Sequence, residues 1–136
     1  MECLFCSIVA KDIPAYTIHT DVSSIAFLDI HPQSPGHTVI IPPRHMETFL
    51  DMEESEVEGY WKGVKKTLGI LEKHLGADGF TIGINHGKVS GQSINHLHCH
   101  IIPRYEGDGG GSIHSVVSYP SDETVKDVYQ RIITHI

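Results

Sequence analysis

Residues 96–102 read His96-Leu97-His98-Cys99-His100-Ile101-Ile102, and no other stretch constrains the fold as tightly. Side chains of a strand alternate faces with period two, so neighbouring imidazoles of this row lie about 7 Å apart on one face. Leu97, Cys99 and Ile101 occupy the other. A sheet built on this strand, expected over Leu97–Pro103, must bury the apolar row in its core. The polar row must then line a site or face water. Eleven histidines in 136 residues is a high density for a side chain that titrates near neutrality, and it favours a site.

The remaining elements are read from turn signals and periodicity. Asp12-Ile13-Pro14-Ala15 reads as a turn and Ser24-Ile25-Ala26-Phe27-Leu28-Asp29-Ile30 as a strand bounded by His31-Pro32. After the turn Ser34-Pro35-Gly36, Thr38-Val39-Ile40-Ile41 predicts a largely buried strand that stops at Pro42-Pro43, which cannot donate to a ladder. Val57, Trp61, Val64, Leu68, Leu71 and Leu75 recur at spacings of four and three and predict a long amphipathic helix. Asp51 with Glu54 forms an Asp-led relative of the capping box, Glu53 and Glu56 add charge near the positive helix end, and Gly76 supplies the stop.

Phe80, Ile82 and Ile84 alternate with Thr81 and Gly83 in a third strand ahead of the turn Asn85-His86-Gly87. Tyr105 to Gly111, with four glycines in seven residues, reads as a mobile loop. Thr124 to Ile133 reads as a short helix with Val125, Val128 and Ile132 inward. Local strands with helices between them favour an α+β fold, an antiparallel sheet with one long and one short helix, over a parallel βαβ array. No repeat or linker divides the chain, so residues 1–136 are expected to form one domain.

Charge narrows the function classes. Seventeen acidic residues against ten basic ones give a net charge of −7, without the basic field that backbone binding of nucleic acid requires. No apolar run approaches the ~18 residues of a membrane span. The opening Met1-Glu2-Cys3-Leu4-Phe5-Cys6 lacks the basic and apolar regions of a secretion signal, and a soluble, cytoplasmic protein is expected. Under such reducing conditions an odd count of three cysteines argues against a disulfide framework, and the Cys3/Cys6 pair reads as metal-binding or chemical.

Two chemistries fit the imidazole row. Imidazoles at i and i+2 can share a metal that keeps an open position, or one can act as a nucleophile while its neighbours orient it and bind developing charge. Gly91-Gln92-Ser93, just upstream, offers a turn, an amide and a hydroxyl, neutral donors suited to phosphate oxygens. A zinc deaminase is excluded by order, since its Pro-Cys-x-x-Cys follows His-x-Glu whereas Cys3/Cys6 precede His45-Met46-Glu47. There is no P-loop, GxGxxG or GxSxG.

Asn85, then Gly91-Gln92-Ser93, then residues 96–102 together resemble the signature of the histidine-triad family, His-φ-His-φ-His-φ-φ with φ apolar. Phe27-Leu28-Asp29-Ile30-His31-Pro32-Gln33-Ser34-Pro35-Gly36-His37 and Val39-Ile40-Ile41-Pro42-Pro43-Arg44-His45 resemble its earlier blocks in the right order. The resemblance runs from Cys3 to Arg104. The tail, residues 105–136, is less recognisable and lacks the Trp-Pro-Pro ending of the nucleoside phosphoramidase branch.

This resemblance implies a nucleotide hydrolase or transferase acting at an α-phosphate through a covalent nucleotidyl-histidine, on dinucleoside polyphosphates, nucleoside phosphoramidates or acyl-nucleotides. A catalytically weak nucleotide-binding module of the same fold and a metallohydrolase are the alternatives. By the same resemblance His98 is the nucleophile, His100 contacts the phosphate or leaving group, Gln92 and Ser93 donate to phosphate oxygens, and His37 approaches from the neighbouring strand. Asp29 would bind the ribose of a nucleotide, adenosine-containing by expectation. Phe5, Ile8, Phe27, Leu28 and Ile30 would form the base slot, with Asn85 near ribose or phosphate. Some members, mostly microbial, carry a structural zinc, here implied on Cys3, Cys6, His45 and His96. Members typically form homodimers that join two half-sheets, with the long helix and a strand edge between them. The loop Asp108-Gly109-Gly110-Gly111 is expected to close over a leaving group, and Cys99 is expected in the core.

Overall fold

Four consecutive buried residues, Thr38, Val39, Ile40 and Ile41, can exist only in a strand covered on both faces, and the sheet is arranged around them. In the computed structural model, which describes residues 2–136, β1 (Thr17–Thr20), β2 (Ile25–Leu28), β3 (Thr38–Ile41), β4 (Gly79–Gly83) and β5 (Cys99–Arg104) form one antiparallel sheet in the order β1-β2-β3-β5-β4. The α+β class holds. A short helix α1 (Leu4–Val9), the long α2 (Glu54–Leu75) and a C-terminal α3 (Val125–Ile133) complete it. No helix among the described residues is long and apolar enough to cross a membrane.

The two sheet faces receive different cover. Helix α2 lies on the first, where Tyr60, Val64 and Leu71 join Ala26, Ile40, Leu97, Cys99 and Ile101 in the main core. Each such apolar side chain contributes roughly 1.5–3 kcal/mol on burial. On the second face α1 covers only part, with Phe5 packed among Phe27, Val39 and Ile41. What α1 leaves uncovered is where the imidazoles emerge.

Several local expectations change. Neither α1 nor β1 was expected, and β1 carries an irregularity between Thr17 and His19 that breaks its alternation. The ladder of β5 begins at Cys99, two residues later than expected, because Leu97 N–H bonds Met46 O instead of a neighbouring strand. The N-cap of α2 is Glu53, whose N–H donates to Glu56 at 3.0 Å, while Asp51 accepts from Thr48 N–H in the preceding 3-10 turn. Gly76 ends α2 in the left-handed conformation, as expected. Tyr60, not Trp61, is the buried aromatic of α2: its hydroxyl donates to Ile40 O at 2.8 Å, while Trp61 sits at the rim against Phe49. Phe80 and Ile84 pack on the core, but Ile82 stands exposed on the edge strand β4.

The C-terminal third departs most. Arg104 donates Nε and Nη2 to the Asp108 carboxylate at 2.7 and 3.1 Å and Nη1 to Gly111 O and Thr81 Oγ1. Asp108 also accepts from the N–H groups of Tyr105 and Gly110. These bonds make the glycine segment an ordered turn instead of a mobile loop. Helix α3 has no buried residue, and Val125 and Ile132, expected inward, are exposed while Val128 is half-buried.

Helix α2 meets the β1–β2 turn through Gly59 and Gly63. A Cβ on Gly63 would collide with Ser24 Oγ, which is fully buried and bonded to Asp21 Oδ1. Alanine adds about 1 kcal/mol of helix preference, yet overpacking costs typically 1–3 kcal/mol, so Gly63→Ala should lower stability. Exposed Gly69 has nothing within 4 Å of an added Cβ, so Gly69→Ala should raise stability by up to about 1 kcal/mol. Urea midpoints of the two variants check the opposite signs.

Candidate functional site

Strand pairing sets the site. Val39 pairs with His100 across β3 and β5, so both face the uncovered side, and His37, two residues before Val39, joins them by alternation. A cavity of about 1220 Å³ opens there, lined among others by His37, His98 and His100.

The hydrogen bonds fix the tautomers. His98 Nδ1 lies 2.7 Å from His96 O, a carbonyl that can only accept, so Nδ1 carries a proton and, in the neutral ring, Nε2 holds the lone pair. Gln33 N–H donates to His37 Nδ1 at 3.1 Å, which puts the His37 proton on Nε2, and that N–H donates to His100 Nδ1 at 2.9 Å. His100 therefore holds its own proton on Nε2. One ring next to the cavity is a free base and another is a donor. Phe5 packs edge-on against His98 with centroids 5.1 Å apart and holds the ring from the side.

Charges adjust accordingly. Burial pushes His100 down to about 4, with His98 and His37 adding to the effect and Asp29 opposing it. Burial also lowers His37, again opposed by Asp29, whose Oδ2 lies 3.7 Å from His37 Nε2. Both imidazoles are neutral near pH 7. Asp29, His37 and His100 lie close enough to hold a cation, but the His37–His100 contact consumes the lone pair of His100 Nδ1.

The first imidazole of the row turns elsewhere. His96, fully buried, donates Nε2–H to Pro42 O at 2.9 Å and aims Nδ1 at Cys3 Sγ and Cys6 Sγ, 3.5 and 3.6 Å away. His45 Nδ1 lies 3.2 Å from Cys6 Sγ. A tetrahedral zinc with ordinary bond lengths would separate sulfur from nitrogen by about 3.6 Å, so Cys3, Cys6, His45 and His96 fit such an ion. Loss of solvent and the neighbouring Cys3 raise the Cys6 thiol, as two adjacent sulfurs do without a cation. The three imidazoles thus do not share one metal. Cys99 is buried on the opposite face, its thiol pushed up to about 12 by burial, which makes it inert.

The expected substrate contacts gather at the cavity with one exception. Phe5, Ile8, Phe27, Leu28, Asp29, Ile30, Asn85 and Ser93 line it. Asp29 also caps the following turn, accepting from His31 N–H at 2.8 Å. Gln92 does not reach the cavity as a phosphate donor. Its amide donates to Glu47 O and Ile94 O and accepts from Gly87 N–H, so it ties the triad's approach loop to the segment holding His45. Gln33, which sets the His37 tautomer, acts through its backbone and carried no side-chain signal.

Because the folded His100 value lies below the unfolded 6.5, the unfolded chain binds the extra proton in acid. Its contribution to stability is complete above about 6.5 and is lost as the pH falls toward about 4. Urea midpoints should fall across this window, and more shallowly in His100→Asn than in wild type.

Comparison with known proteins agrees with this arrangement. Residues 10–107 match the model of the HIT domain family. An uncharacterized HIT-like protein of Methanocaldococcus jannaschii is 46% identical over 127 residues, covering 93% of this chain and 98% of that protein. The adenosine 5'-monophosphoramidase of Schizosaccharomyces pombe is 33% identical over 137 residues, covering 100% of this chain and 99% of its own. Among solved structures, a Zn-bound histidine triad family protein from Mycobacterium smegmatis superposes with a TM-score of 0.73 at 31% identity, covering 99% of this chain and 92% of that one. With the match spanning well over half of the sequence and containing His98, His100 and the strand that faces them, the chain belongs to the HIT domain family.

Proposed function

We propose that this protein is a nucleotidyl hydrolase or transferase that acts at the α-phosphate of a nucleotide through a covalent intermediate on His98. The observation that carries the reading is the bond from His98 Nδ1–H to His96 O, which reserves Nε2 for attack and stabilises the cation formed once Nε2 is bonded to phosphorus. Membership in a family with a named phosphoramidase, full-length and 33% identical, supports the same class.

His98 Nε2 attacks the α-phosphorus and the bond to the leaving group breaks. His100 Nε2–H, with Ser93, donates to the phosphate oxygens. As the bond to phosphorus breaks, the leaving atom takes a proton from solvent. Water then attacks phosphorus, the P–N bond to His98 Nε2 breaks and frees that nitrogen, and the proton that the water sheds goes to solvent. Asp29 accepts from the ribose hydroxyls, Asn85 stands beside ribose or phosphate, and the base, an adenine by analogy with the named relative, lies between Phe5, Ile8, Phe27, Leu28 and Ile30. Burial keeps His37 and His100 neutral before substrate arrives.

The proposal includes a structural zinc on Cys3, Cys6, His45 and His96, supported by the fit of the four donors and by the Zn-bound relative. Such an ion would hold the thiols deprotonated and cross-link α1 to the triad. It also includes the action of residues 1–136 as one unit, a cytoplasmic setting, and a homodimer continuing the sheet through the edge strand β4.

His98→Ala should abolish turnover of adenosine 5'-phosphoramidate while keeping affinity for AMP within about tenfold; unchanged turnover would reject the mechanism. Removing metal with a chelator should lower Tm by about 5–10 °C, and Cys6→Ala should remove the chelator's effect.

A further inference from the structure

Helix α1 is one wall of the cavity, and little holds it to the rest of the chain. Leu4, Phe5 and Ile8 line the cavity from α1, while Phe27 and Leu28 line it from β2. Among the described residues, the backbone hydrogen bonds of residues 3–15 stay inside that segment, as from Ser7 N–H to Cys3 O, Ala10 N–H to Cys6 O and Ile13 N–H to Ser7 O. Polar contact with the rest of the chain runs through the two sulfurs: Cys3 Sγ faces His96 Nδ1 at 3.5 Å, and Cys6 Sγ faces the Nδ1 atoms of His45 and His96 at 3.2 and 3.6 Å. What remains is apolar contact, chiefly that of Phe5 among Phe27, Val39 and Ile41. A helix of six residues has no stability of its own. The chain leaves it through Lys11, a non-glycine residue in the left-handed region at φ 63, which the docked helix holds at a cost in strain.

The two halves of the Cys/His cluster differ in how they are anchored. His96 is buried and bonded to Pro42 O. The segment carrying His45 is fixed by buried Met46, whose carbonyl accepts from Leu97 N–H at 2.7 Å, and by Glu47 O, which accepts from Gln92 Nε2 at 2.7 Å. The imidazoles therefore keep their places with or without an ion. The sulfurs keep theirs only while α1 is docked.

We propose that α1 is a movable wall of the nucleotide site, fastened by zinc bound to Cys3, Cys6, His45 and His96 and fastened again by a base held between α1 and β2, so that each ligand tightens the other. This rests on the nucleotide reading above. Such coupling is reciprocal: zinc raises nucleotide affinity by the same factor as nucleotide raises zinc affinity. It is confined to ligands that carry a base. The phosphate position belongs to His98, His100 and Ser93, on segments held by β5, by His96 O and by Gln92 and not by α1.

Calorimetry of AMP and of ribose 5-phosphate, on the zinc-loaded and the chelator-stripped full chain at a temperature where both give the same circular dichroism spectrum, tests the coupling. Stripping should weaken AMP at least about tenfold and ribose 5-phosphate less than about threefold. Zinc affinity, read by competition with a chromophoric chelator, should rise by the AMP factor in saturating AMP and stay within about threefold in saturating ribose 5-phosphate. Hydrogen exchange of the α1 amides should speed up at least about tenfold on stripping and slow again with AMP, while the amide of Leu97 changes far less. Equal weakening of both ligands, an AMP affinity indifferent to zinc, α1 amides that do not respond, or a stripped protein unfolded at every temperature would overturn the coupling while leaving the nucleotide reading intact. No binding of AMP by the zinc-loaded protein would overturn both.

Discussion

Three constraints meet at His96. Its Nε2–H is held by Pro42 O at the end of β3, its Nδ1 faces the Cys3/Cys6 pair, and its carbonyl accepts the proton of His98 Nδ1. The residue is fully buried, so none of these bonds is shared with water, and burial strengthens each of them. The ring of His96 fixes where the N-terminal helix sits, and its backbone fixes which nitrogen of His98 is available. A fault at this residue would therefore reach both the fold and the chemistry.

The sheet divides the labour. One face is closed by α2 and carries the stability of the main core; the other is only partly closed by α1, and the uncovered part is the cavity. Because residues along a strand alternate, β5 serves both at once: Cys99 and Ile101 anchor the strand in the core while His100 and Ile102 face the cavity. His100 stands on this ladder and His98 immediately before it; backbone groups set the tautomers of His98 and His37, and His37 sets that of His100.

Much of this was legible in the sequence, for physical reasons that also explain what was not. Period-two alternation at residues 96–102 located the imidazole row, and the four-three spacing from Val57 to Leu75 located α2. Six-residue α1 and four-residue β1 are too short for periodicity to register, and the irregularity in β1 hides its alternation. The pattern placed Trp61 inside and was silent on Tyr60, because a hydroxyl reaching Ile40 O follows from the packing of helix on sheet. Gln92 read as a phosphate donor since a neutral amide serves phosphate and backbone equally well, and only the neighbouring chain at Glu47 decides. The glycines of 107–111 suggested motion until Arg104 and Asp108 came together. The Cys pair announced a metal, but its two imidazole partners came through family resemblance and then through their meeting in space.

The central claim is that the free Nε2 of His98 becomes bonded to phosphorus. Intact-protein mass spectrometry after a rapid quench without acid, during turnover of adenosine 5'-phosphoramidate by the wild type and by His98→Asn, tests it most directly. The account predicts a mass increase of one adenylyl group on the wild type and none on the variant. An adduct that persists in His98→Asn, or a wild type that turns over at full rate with no adduct at any quench time, would contradict it.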